Sequence, residues 1–207
     1  MRMLKGLVPT VFGALGCILA SCGETRPPSP MGDDDSGLPP DVEPPDSTTI
    51  VLIDQTAWEA VEAAEDPLAD HRPPDAYCHE DGTLIHESGT FDVIMDRCSY
   101  FMSRQPTLAD IRRGDCIEIP FLHGDLISPE GGLSHVALLF GSDPFWERNL
   151  PIPSAANSRY EYWLATADIP AGTPIWFHVH NHGPNQYVLG DVAILNLAPG
   201  EACPVER

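Results

Sequence analysis

The chain has 207 residues, of which 31 are acidic and 11 basic, for a formal charge of −20 with histidine neutral. A charge of that sign and size excludes binding to nucleic acid or to anionic lipid through electrostatics, since both require a basic surface that displaces counterions.

Arg2 and Lys5 precede a run from Leu7 to Ala20 that is apolar apart from Thr10 and is broken by Pro9, Gly13 and Gly16. A basic start followed by a short apolar stretch is the build of a signal peptide. The run is too short for a comfortable membrane span, which needs about 20 consecutive apolar residues. Leu19-Ala20-Ser21-Cys22 resembles the lipobox of bacterial lipoproteins, which implies a signal peptide over residues 1–21, cleavage before Cys22 and acylation of that cysteine. Each buried methylene adds about 0.8 kcal/mol of membrane affinity, so several chains on one residue hold a protein where a single chain holds it only reversibly. Gly23, and not aspartate, follows the cysteine, which favours an outer membrane where the cell has two. Loss of residues 1–21 leaves nine basic against 31 acidic residues, a charge of −22.

Residues 22–49 are expected to form a disordered tether. Between Gly23 and Thr49 lie seven prolines, the Asp33-Asp34-Asp35 run and almost no large apolar side chain. Such a segment cannot bury enough surface to fold, and proline with like charge keeps it extended.

Residues 50–207 are of a size for one domain with its own core. Ile50-Val51-Leu52-Ile53 reads as a buried strand, and Gln55–Glu65, with Trp58, Val61 and Glu62 at helical spacing, as a short helix ended by Pro67. Short β-type runs bounded by turn residues follow: Thr83–Glu87, Thr90–Met95, Cys98–Ser103, Cys116–Leu122, Ser134–Phe140, Phe145–Leu150, Tyr160–Ala165, Ile175–Asn181 and Tyr187–Leu197. One further helical turn is expected within Thr107–Arg113. The pattern predicts an all-β domain, a jelly-roll-like β-sandwich with one or two short helices. Alternation supports it: Ile117, Ile119 and Phe121 share a face opposite Glu118, and Val136, Leu138 and Phe140 form a stripe opposite His135. Once Cys17 is removed and Cys22 acylated, Cys78, Cys98, Cys116 and Cys203 remain, an even number that suits an oxidising compartment. Three pairings are open; the local loop favours Cys78–Cys98, with Cys116–Cys203 joining a central strand to the carboxyl end.

Chemistry concentrates in Trp176–Tyr187. On a strand, Ile175, Phe177 and Val179 share the core face, and Trp176, His178, His180 and His182 the opposite, more accessible one. Two readings follow. In the first, Trp176, His178, His180, Asn185 and Tyr187 bind a glycan, a small ligand or an envelope protein, with aromatic faces for stacking and amides for hydroxyl groups; Trp146, Tyr160 and Trp163 are candidates for a second wall, and no cofactor is needed. In the second, His178 and His180 share a zinc or copper ion, because imidazoles at i and i+2 direct nitrogens to one point. A third ligand then comes from another strand, with His123 and His135 as candidates; His182 is too far along a flat strand unless the chain bends at Asn181 or at Gly183-Pro184. Gly172 with His178-Val179-His180 resembles the opening of the first cupin motif and, with Thr173, fragments of multicopper oxidases. Pro184 and Asn185 stand where a cupin has its glutamate, and the further histidine pairs and cysteine of a copper oxidase are missing. No nucleophile elbow of the Gly-x-Ser-x-Gly type occurs, and the expectation leans away from an enzyme.

Asp66–Pro73, Cys98-Ser99-Tyr100, Gln105–Leu108, Ser134–Leu139, Pro151-Ile152-Pro153, Ala171–Pro174 and His178–Gly183 together resemble a group of exported bacterial lipoproteins with no established activity. The resemblance covers nearly all of residues 50–197 and implies one β-sandwich behind a lipobox. The final strands also resemble galactose-binding-like jelly rolls. Neither likeness carries a functional residue with it.

Overall fold

A computed structural model describes residues 49–204. The expected signal peptide, the expected acylation site Cys22 and the expected tether up to residue 48 lie outside the described residues. Twelve strands follow in chain order: β1 (Ile50–Val51), β2 (Glu59–Ala60), β3 (Thr83–Ile85), β4 (Phe91–Ile94), β5 (Tyr100–Pro106), β6 (Cys116–His123), β7 (Gly132–Phe140), β8 (Asp143–Ile152), β9 (Asn157–Leu164), β10 (Pro174–His180), β11 (Gln186–Leu189) and β12 (Ala193–Ile194). One antiparallel sheet runs β1-β12-β6-β11-β4-β3, with β9 on the other edge of β6; the second runs β2-β5-β10-β7-β8. This is the expected all-β sandwich.

The core is the layer between the sheets, filled by alternate residues of facing strands. Ile117, Ile119 and Phe121 from β6 meet Phe101 from β5, Val136 and Leu138 from β7, and Ile175, Phe177 and Val179 from β10, all buried. Burial of such side chains contributes about 1.5–3 kcal/mol each. Cys78–Cys98 and Cys116–Cys203 are the two disulfides, as the sequence suggested.

Four expectations fail for identifiable reasons. The Gln55–Glu65 helix does not form: Glu59–Ala60 pairs with β5, and a single 3-10 turn follows at Ala63–Glu65. Helical spacing would put Trp58 and Val61 on one face. In the structure Trp58 packs inward on Phe91 and Phe177, and Val61 lies on the outer face of the second sheet. The stretch Thr107–Arg113 carries an isolated bridge, Ile111 to Ile169, in place of a helical turn. The opening strand is only β1, with Ile50 and Val51 exposed, and burial begins at Leu52 and Ile53. The run Tyr187–Leu197 splits into β11 and β12 at Gly190, whose N–H donates to the Pro120 carbonyl; a Cβ there would lie 2.8 Å from Pro120 Cβ.

The outer face of the second sheet is not left to solvent. Residues 61–77 cross it as a strap with two short 3-10 turns, Ala63–Glu65 and Ala69–His71. Val61, Leu68 and Ala76 from the strap pack on Tyr100, Met102, Ala137, Leu139 and Trp176 from the sheet, forming a second, smaller core. Asp66 pins the strap. Its carboxylate accepts from the Tyr100 hydroxyl at 2.8 Å, the Leu68 N–H at 2.8 Å and Arg72 at 3.2 Å.

Candidate metal centre

Strand β10 sits between β5 and β7, so its outward residues have neighbours on both sides. His178 lies opposite Ala137 and Met102, and His180 opposite His135 and Tyr100. The alternation read from the sequence holds: Ile175, Phe177 and Val179 enter the core while Trp176, His178 and His180 face outward. The outward face is less accessible than expected, because the strap covers it and His178 is fully buried.

The strap also brings His71 down onto the sheet. One ring nitrogen from each of His71, His135 and His178 lies within 4.8 Å of the others. His180 joins them, its Nδ1 3.0 Å from His71 Nε2. Zinc–nitrogen bonds of ~2.0–2.1 Å in tetrahedral geometry place ligand nitrogens about 3.3 Å apart, so modest side-chain rotation closes this set on one ion.

Partner chemistry fixes two of the rings. His178 Nδ1 stands 3.1 Å from the Phe101 carbonyl oxygen, which only accepts, so Nδ1 carries the proton and Nε2 presents its lone pair. His135 Nε2 stands 3.1 Å from a Glu147 carboxylate oxygen, so in the neutral ring Nδ1 is the free lone pair. Both His178 Nε2 and His135 Nδ1 are buried with no hydrogen-bond partner among the described residues. A buried polar atom without a partner carries a desolvation cost of ~1–3 kcal/mol. A carbonyl or carboxylate behind one ring nitrogen and a free lone pair on the other is how metal-ligating histidines are oriented.

Electrostatics favour the same state. Burial lowers the pKa of His178 well below its ordinary 6.5, and neighbouring His135 and His71 push the same way. Burial, then His71, lowers His180 to about 4, and burial with His135 lowers His71. His71, His178 and His180 are therefore neutral at pH 7, as ligation requires. Beside them the Tyr100 ring centroid lies 4.8 Å from that of His178, and burial with Asp66 as partner raises its hydroxyl pKa.

This arrangement sets a pH dependence. Unfolded imidazole protonates near 6.5, so below that pH the unfolded chain binds more protons than the metal-free fold. The contribution of these rings to stability is complete above about pH 6.5 and is lost as pH falls toward about 4, where folded His180 titrates. Urea unfolding of metal-free protein should show a lower midpoint near pH 5 than near pH 7.5; equal midpoints would contradict the buried neutral cluster.

The other sequence candidates lie elsewhere. His123 belongs to the first sheet, with Nδ1 2.8 Å from the Gly124 carbonyl and its ring beside Tyr187, and takes no part in the cluster. The expected ligand face of Trp176, His178, His180, Asn185 and Tyr187 does not exist as a surface. Tyr187 projects between the sheets, fully buried and stacked on Phe121; its hydroxyl donates to Asn181, and burial pushes its pKa to about 12. Asn185 is buried in the loop before β11, accepting from the Ile127 N–H and donating to Asn181 and the His182 carbonyl. Trp176 lies under the strap with the Arg104 guanidinium over its ring. Sequence reasoning missed His71, which sits in a turn 64 positions before His135 with no periodicity to link it to β10.

No protein-family model and no curated protein matches this chain. Solved structures do. A CBM4 module has 10% identity and a TM-score of 0.37 over 65% of this chain and 90% of its own. The K3 adhesin domain of Lys-gingipain from Porphyromonas gingivalis has 14% identity and a TM-score of 0.39 over 72% and 98%. A CBM61 module in complex with β-1,4-galactotriose has 10% identity and a TM-score of 0.28 over 57% and 85%. Likeness at this level assigns neither an activity nor a residue to this chain.

Proposed function

We propose that this protein is a lipid-anchored component of the bacterial envelope whose β-sandwich binds one zinc or copper ion through His71, His135 and His178, with His180 beside them. The observation that carries the reading is the pair of buried nitrogens without a partner, His135 Nδ1 and His178 Nε2, on two of the three rings whose nitrogens lie within 4.8 Å of one another. An all-imidazole set without thiolate suits zinc and copper(II) and disfavours magnesium or calcium, which take oxygen ligands. The reading is of metal binding for structure, storage or scavenging. The lipobox at Leu19–Cys22 supports the anchor, Gly23 supports an outer-membrane address, and two disulfides fit folding outside a reducing compartment.

Equilibrium dialysis of protein purified without a histidine tag tests the proposal. One zinc or copper ion per chain, retained against dialysis and removed by chelator, is expected. A protein that stays metal-free under saturating zinc and copper would overturn it.

A further inference from the structure

A second site lies on the open side of the sandwich, where β8 ends one sheet and β9 the other. Each pairs along one edge only, β8 with β7 and β9 with β6. Between them is a cleft of about 380 Å³ lined by Phe145, Trp146, Arg148, Tyr160, Glu161 and Tyr162.

Three features of this cleft are unexplained by folding alone. Tyr160 leaves 64% of its surface in water, although a ring of that size gains from burial. Trp146 is 95% buried against Phe121, yet its indole N–H has no acceptor among the described residues. Glu161 is held below the surface and forms a two-pronged ion pair with Arg148 through Nε at 3.0 Å and through Nη2, with Arg159 3.7 Å away. The guanidinium and the Glu161 carboxylate neutralise each other, and Glu147, which also lines the cleft, leaves it with a negative charge that disfavours anionic ligands, while the outer lone pairs and N–H groups of a planar pair remain able to bond neutral groups.

An exposed aromatic face and a planar ion pair in one concavity define the partner. It presents an apolar C–H face to a ring and hydroxyls to the polar groups beside it. We propose that this cleft binds a neutral saccharide, with Tyr160 stacking on a sugar ring and the Arg148–Glu161 pair bonding vicinal hydroxyls. The proposal is independent of the metal centre.

Mature acylated protein in detergent micelles, titrated with neutral oligosaccharides of glucose, galactose, mannose and N-acetylglucosamine, provides the test through tryptophan fluorescence and calorimetry. At least one series should bind saturably. Tyr160→Ala should weaken that binding about tenfold or more, and Tyr160→Phe, which keeps the ring, should retain most of it, both with the melting temperature little changed. His71→Ala should leave it intact. Absence of saturable binding at millimolar sugar, binding confined to anionic saccharides, or binding that Tyr160→Ala leaves unchanged would each overturn the proposal.

Discussion

Replacement of His71 by alanine is expected to weaken zinc or copper binding by more than a hundredfold while barely changing the stability of the metal-free domain. His71 is exposed, and loss of its side-chain hydrogen bond to His180 costs the metal-free fold only about 1 kcal/mol. Its loss removes the single ligand that the strap supplies. Loss of an outer-shell partner alone costs ~10–100-fold in metal affinity, and loss of a ligand should exceed that. His178→Ala should abolish binding to a similar extent but also destabilise the fold, since the ring is fully buried against Tyr100. His123→Ala serves as the control and should leave affinity unchanged, because that ring lies on the other sheet. Bound metal at 1,000 times its Kd stabilises a fold by about 4.1 kcal/mol, so the metal-dependent rise in melting temperature should vanish in His71→Ala and persist in His123→Ala. Calorimetric titration and thermal unfolding read both effects; equal losses in the two variants would contradict the assignment.

Replacement of Cys22 by serine is the second large effect. In the proposed anchor, acyl chains on Cys22 would hold the chain on its membrane, and no basic surface would substitute for them at a charge near −22. The variant should incorporate no labelled palmitate and should leave the detergent phase for the aqueous one, with the folded domain otherwise unchanged. Unchanged label and partitioning in Cys22→Ser would remove the anchor from the account.

The sheets were legible in the sequence because their strands alternate. Ile117, Ile119 and Phe121, or Ile175, Phe177 and Val179, announce a buried face with period two, and the structure places each set between the sheets. What escaped was whatever depends on contacts distant in sequence. Trp58 and Val61 satisfy helical spacing locally, yet each finds a different apolar layer, on either side of the extended pair Glu59–Ala60. Tyr187 and Asn185 look like recognition residues by type, but alternation along β11 and the tight loop before it turn both inward.

The proposed metal centre divides along the same line. His178 and His180 are neighbours on one strand, and His135 on β7 comes into register with them by the antiparallel pairing of β7 and β10. These three were available to a reading of strand faces. His71 was not, because its position is set by Asp66 fastening the strap to Tyr100 and Arg72, an interaction without a spacing rule. The same strap converts an apparently exposed histidine face into a buried one. That burial keeps His178 and His180 neutral at pH 7 and makes the unmatched nitrogens of His135 and His178 costly.

X-ray absorption at the metal edge, on zinc- or copper-loaded protein purified without a tag, tests the central claim most directly. The structure predicts three or four imidazole nitrogens at ~2.0–2.1 Å for zinc and no sulfur scatterer, since Cys78, Cys98, Cys116 and Cys203 are all committed to disulfides. A first shell of oxygen alone, or one containing sulfur, would contradict it.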